Sequence, residues 1–264
     1  MTFQPVVPFG GYAGWKFLQQ TRVAQEATFR QSRAIRDQTE YFSRNILAVS
    51  TPDQIVNDRR LLTVALGAFG LDDDLNHKFF IKKVLADGTA RTDALANRLA
   101  DKSYYRLSKT FGFDRPFLDK IGLPPQTKML ADQFASRKFA EAVGSVNEDM
   151  RLALNFSNDA VSLLSEQRTS DGRWFAIMGN PPLRRFVEQA FNLPRSIGGI
   201  DIDRQKEVFA ERSERFFGSR DPSVFIGAEQ KDRMIQLFFA NSTQSSPNIG
   251  QVSGSIALQL LQTG

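Results

Sequence analysis

"LGAFGLDDDLNHKFFIKKVLADG" (residues 66–88) holds three consecutive aspartates and the single histidine of the chain, His77. Such a stretch is either a site for metal or acid–base chemistry or a corner between two helices. Two related words elsewhere decide between them: "SKTFGFD" (residues 108–114) and "EQAFNLP" (residues 188–194). In each of the three, a phenylalanine (Phe69, Phe111 or Phe191) precedes a residue that tolerates positive φ (Gly70, Gly112 or Asn192). An apolar residue then follows: Leu71, Phe113 or Leu193. This is the composition of a Schellman-type helix end, in which the C′ residue turns left-handed and the next apolar side chain packs back on the last turn. The words are irregularly spaced, which argues against a solenoid. Gly70, Gly112 and Asn192 are therefore expected to be left-handed helix stops. Asp72, Asp73 or Asp74 is expected to cap the following helix, with Asp72 and Asp74 the favoured caps. That helix carries its basic residues late and stops at Gly88.

The rest of the chain follows the same helical logic. Residues 1–14 contain two prolines and three glycines without a helical period and read as an irregular arm. A polar, Arg- and Gln-rich segment from Trp15 to about Ala48 has the spacing of an amphipathic helix. Thr51 is placed to cap the next helix, with Pro52 at its first position and Gln54 completing a capping box. Asn180 and Pro181 repeat that start. Residues 127–168 form a long helix-compatible stretch, broken near Gly144 and Asn147. No run of β-branched residues alternates over five or more positions, so a sizeable sheet is not expected. The predicted architecture is all-α: a compact multi-helix domain over residues 15–240, with a sub-boundary near 122–127. Residues 241–264 read as a flexible, Ser- and Gly-rich tail ending in the apolar word "IALQLLQ".

Composition narrows the chemistry. The 264 residues include no cysteine, which removes disulfides, thiolate catalysis and Cys-ligated zinc. No apolar run approaches the ~18 residues of a membrane span, and no basic-then-apolar opening marks a cleavable signal peptide. The net charge of +5 arises from 34 basic and 29 acidic residues that alternate closely, as in "DRQKEVFAERSER" (residues 203–215). Mixed charge of this kind describes a solvated helix face, whereas a nucleic-acid footprint concentrates its basic residues. An EF-hand loop starting at Asp72 would need Gly in place of His77 and Glu in place of Lys83. Magnesium keeps several of its waters and needs only Asp72 or Asp74, so that alternative stays open. A catalytic triad would have to use His77, yet no G-x-S-x-G elbow accompanies it. "FGGYAGWK" (residues 9–16) lacks the GK[ST] of a phosphate-binding loop. Asp201 and Asp203 offer a carboxylate pair, but such residues more often cap the helix that follows. Trp15 and Trp174 read as packing anchors.

Several ordered words together resemble a bacterial family catalogued as domain of unknown function 1217. It is found mostly in alphaproteobacteria, with genes often lying among flagellar genes. The matching positions are Asp58 before a helix, the stop Ala68 to Asp72, and the segment Lys82 to Leu85. Ala96, Asn97, Leu99 and Asp101 follow, with Tyr104 or Tyr105. The likeness spans roughly residues 40–240. It departs at "LDDDLNHKFF", where the family more often has a Met/Ala-rich stretch, so the aspartate run and His77 look local to this chain. The resemblance implies a flagellar association and supplies no catalytic residues. The expectation is a non-enzymatic protein with no cofactor or metal, acting through protein partners. It would be cytoplasmic or flagellum-associated, with no nucleic-acid binding and no membrane insertion. The alternatives are a small magnesium- or carboxylate-dependent enzyme around Asp72–His77 or Asp201–Asp203, or a nucleic-acid binder.

Overall fold

A computed structural model describes residues 3–114 and 124–245. The polar segment after Gly10 forms two helices where one was expected, α1 (Gly11–Gln31) and α2 (Arg33–Asn45). They are split at Ser32, whose extended backbone (φ −60°, ψ 139°) turns the chain. Next come α3 (Pro52–Asn57), α4 (Arg59–Gly67), α5 (Lys78–Asp87), α6 (Leu95–Arg98) and α7 (Ser103–Phe111). After the undescribed segment, α8 (Pro124–Gly144) and α9 (Glu148–Glu166) form a hairpin that breaks where Gly144 and Asn147 suggested. The chain closes with α10 (Ser170–Met178), α11 (Pro181–Ala190), α12 (Ile202–Phe217) and α13 (Ala228–Ser245). The fold is all-α, with no strand among the described residues.

Both predicted ends need correction. α1 starts at Gly11, so the arm is shorter than residues 1–14, and it is docked. Phe3 meets the Phe29 ring edge-on at 5.1 Å, and the Val6 N–H donates to Gln25 Oε1 at 2.8 Å. Partial burial of the Phe3 ring against the core holds a segment with no helical period. At the other end α13 continues through Ser245; Asn241 donates to the Ala190 carbonyl at 2.9 Å, and Ser242 is buried. The first residues of the predicted tail therefore belong to the fold, and "IALQLLQ" lies outside the described residues. The sub-boundary near 122–127 lies partly outside them too, and α8 is already under way at Pro124.

Helix α9 runs through the middle. It packs on α8, which carries α1, α2 and α4 on one side, and on α11 and α13 on the other. Phenylalanines join these layers. Phe156 of α9 stacks on Phe186 of α11 at 4.2 Å, and Phe186 on Phe238 of α13 at 4.4 Å. Phe239 then meets Trp15 of α1 at 6.3 Å. All five rings are essentially excluded from water, as is Trp174. Trp174 also donates from Nε1 to the Arg220 carbonyl at 2.8 Å. Both tryptophans are packing anchors.

Starts and stops are local. Gln54 accepts the Thr51 N–H at 3.1 Å to complete the capping box, and Asn180 accepts the Leu183 N–H at 3.1 Å. Gly70, Gly112 and Asn192 all have positive φ (72°, 56° and 50°). At Gly70 the Leu71 N–H reaches the Leu66 carbonyl and the Gly70 N–H the Gly67 carbonyl, the two bonds of a Schellman end. Asn192 repeats the pair, with bonds from Leu193 to Glu188 and from Asn192 to Gln189. Gly112 closes α7 with a single bond to Ser108, the simpler left-handed end. Gly218 does the same for α12, at φ 70°.

Gly70 and Gly218 make a matched pair for measurement. A Cβ on Gly218 would meet nothing within 4 Å, whereas one on Gly70 would lie 2.8 Å from Arg137 Nη1. Gly218→Ala is expected to lower stability by about 1–2 kcal/mol, the left-handed backbone penalty alone. Gly70→Ala should cost clearly more, because Arg137 must also move. Urea denaturation midpoints of the two variants would show the difference, and equal losses would contradict it.

Candidate functional site

After the Gly70 stop, residues Asp72–Asn76 form one 3-10 turn before α5 begins at Lys78. The aspartates do not cap that helix. His77 is its flanking residue, and no side chain bonds its first N–H groups. Each capping aspartate is drawn to a distant partner instead. Asp72 accepts Lys138 Nζ of α8 at 2.8 Å, and Lys138 also holds Glu141. Asp74 accepts the Tyr104 hydroxyl of α7 at 2.5 Å through one oxygen, while the other meets His77 Nδ1 at 2.8 Å. A charge-assisted bond to a half-buried partner outweighs the modest gain of an exposed cap.

These partners carry the electrostatic consequences. Burial raises the Tyr104 phenol far above its ordinary value, and the Asp74 hydrogen bond raises it further. Burial lowers the Lys138 ammonium, but hydrogen bonds to Asp72 and Glu141 outweigh it, so the net direction is up. Asp58 gives the same kind of junction one helix earlier. It accepts the N–H groups of Arg60 and Leu61 at the start of α4 and the Tyr41 hydroxyl at 2.6 Å. Burial pushes the Asp58 carboxyl up, and these three donors more than reverse that, leaving it below the usual carboxylate range.

The corner opens on a cavity of about 640 Å³, walled by the Gly70 turn, all three aspartates Asp72, Asp73 and Asp74, Tyr104, Arg137, Arg151 and the start of α11 at Asn180. Its floor includes the pair of Arg137 with Asp159 at 2.8 Å, both sides well shielded. Among the described residues, no group of three or more His, Asp or Glu side chains is arranged to hold a metal ion. Asp201 is not part of this wall. It caps α12 by accepting the N–H groups of Asp203 and Arg204, so the second carboxylate pair does not join the first.

The ordered words noted in the sequence turn out to build this corner. Asn97 donates to the Thr89 and Arg91 carbonyls and pins the loop after α5. Asp101 accepts the Ser103 N–H at the start of α7. Of the two tyrosines, Tyr104 reaches Asp74 and packs edge-on against Phe80 at 5.2 Å. Sequence reading missed Arg137 and Lys138, whose partners lie 69 and 66 residues away.

The sequence and the overall fold each have counterparts among known proteins. A family profile described as "protein of unknown function (DUF1217)" matches residues 68–224. The chain belongs to that family. A structural-genomics crystal structure of a protein from Agrobacterium tumefaciens has a similar fold, with a TM-score of 0.72 and 24% identity. The likeness covers 92% of this chain and 98% of that one. No curated protein matches the chain.

Tyr104 supplies the test of the corner. A phenol held protonated by the fold contributes stability that is complete below its ordinary pKa of 10.0 and is lost as pH rises above it. Tyr104→Phe should cost about 1.5–3 kcal/mol near neutral pH, as expected for a hydrogen bond to a carboxylate. It should also flatten the alkaline fall in stability above pH 10. Denaturation curves taken across that range would read both effects.

Proposed function

We propose that this protein is non-enzymatic and works through protein–protein contacts in flagellar structure or assembly, in the cytoplasm or at the flagellum. The observation that carries the reading is the fate of the acidic corner. Asp72 and Asp74, the most chemical-looking residues in the sequence, serve as ties between α8, α7 and the turn after α4. Asp201 is a helix cap. Carboxylates used in this way favour a scaffold. Phe79 on α5 adds support, because it leaves 82% of its surface to solvent beside a buried face. The flagellar part rests on the family's gene neighbourhood, which is an association.

Contact with nucleic acid or insertion into a bilayer is not part of the reading. Basic residues are interleaved with acidic partners along α1 and α2, as in Arg22–Glu26 and Arg44–Glu40. None of the described helices is long and apolar enough to cross a membrane. Deleting the gene from a flagellated host is expected to impair motility, read as swimming in soft agar. Removing only residues 246–264, which leaves α13 whole, should preserve the fold by circular dichroism and reduce capture of a flagellar partner in pull-downs. Unchanged swimming after gene deletion would overturn the proposal.

A further inference from the structure

Behind the acidic corner, across the Arg137–Asp159 pair, lies a second cavity of about 800 Å³ between α7, α8 and α9. Arg106 of α7 forms part of its wall and is only 9% exposed. Its Nη atoms lie 3.5 Å from Ser162 Oγ and 3.4 Å from Ser103 Oγ, long contacts to neutral hydroxyls. Its Nε is shielded from water and has no hydrogen-bond partner. The other well-shielded arginines all have a carboxylate: Arg22 with Glu26, Arg137 with Asp159, Arg173 with Asp221 and Arg184 with Glu188. Arg106, more enclosed than any of them, makes no ion pair among the described residues; Glu166 on the same wall acts on it only through space. A guanidinium taken out of water without an anion is unfavourable, and the cavity beside it is where an anion fits.

We infer that this cavity is a binding site for a small monocarboxylate, held by the Nη edge of Arg106. The charges on the wall set the class. Arg137 is matched by Asp159, and Asp132 by Arg30. Arg106 and Lys128 then face only Glu166, leaving one positive charge uncompensated. One charge suits a monoanion, and Asp159 and Glu166 on the same wall repel a phosphate dianion. The planar fork of arginine matches a carboxylate through two parallel N–H donors. Ala68, Phe69 and Met129 give the same cavity an apolar side for a short hydrocarbon tail. Ser162 lines the same wall; its hydroxyl donates to the Asp159 carbonyl at 3.1 Å, and its oxygen is the one that Arg106 approaches.

The probe is sodium butyrate, compared with sodium phosphate and sodium chloride at equal ionic strength, on the full chain. Butyrate is expected to raise Tm saturably and to give a measurable Kd by titration calorimetry, with neither salt doing so. Arg106→Met should weaken butyrate binding by about 10- to 100-fold, the share of a charge-assisted pair. Because Arg106 is buried and its loss can disturb folding, Ser162→Leu provides the second arm. It keeps the Arg106 charge, exchanges one of its long hydroxyl contacts for bulk on the cavity wall, and should abolish binding with an unchanged circular dichroism spectrum. Glu166→Gln should tighten binding. No saturable butyrate effect, or full binding by Ser162→Leu, would overturn the site; tighter binding of phosphate would overturn the monocarboxylate class.

Discussion

The turn at Gly70 is held by one guanidinium. Arg137 of α8 donates from Nε to the Ala68 carbonyl at 2.9 Å, satisfying one of the orphan acceptors at the end of α4. The same side chain donates to Asp159 of α9 at 2.8 Å. Three helices therefore meet at a single side chain, and the left-handed residue leaves space for it. The cation also sits where the negative end of the α4 dipole is strongest. Removing either Arg137 or Asp159 would strand the other charge in a shielded place, which is more damaging than replacing both. The pair also divides the space beneath α4 into two cavities, so it shapes both walls at once.

Geometry explains why three consecutive aspartates that border one cavity form no metal-holding group among the described residues. In a 3-10 turn successive side chains diverge by about 120°, so neighbours face three directions. Asp72 is aimed at α8 and Asp74 at α7, while Asp73 is exposed on the rim of the cavity. Divergence also relieves the repulsion that three adjacent carboxylates would feel if they converged. The turn thereby converts a dense negative charge into separate ties to the elements it joins.

What was legible in the sequence was local. Gly70, Gly112 and Asn192 announce themselves because a helix end needs a left-handed residue and an apolar follower within a few positions. Gly218 went unread because Ser219, not an apolar residue, follows it. Thr51 and Asn180 were readable for the same local reason. The roles of Asp72 and Asp74 were not, because their partners, Lys138 and Tyr104, become neighbours only when α7 and α8 dock. The split at Ser32 was hidden by a polar sequence that suits one helix as well as two. Nothing in "YYRLSK" sets Arg106 apart; its isolation is a property of the packed helices.

The family profile covers residues 68–224 and so includes the corner and the central hairpin. It leaves out α1 and α13. Yet the aromatic column needs both: Phe238 and Phe239 come from α13, and Trp15 from α1. Tyr12 and Lys16 of α1 further bind Asp232 of α13 at 2.8 and 2.9 Å, closing the two ends of the fold on each other. Without these helices Phe156 and Phe186 would lose their cover, and burying aromatic surface is what holds α9 and α11 together. The Agrobacterium fold extends over 92% of this chain, which reaches past the profile on both sides. The unit that folds is thus longer than the unit the profile recognises.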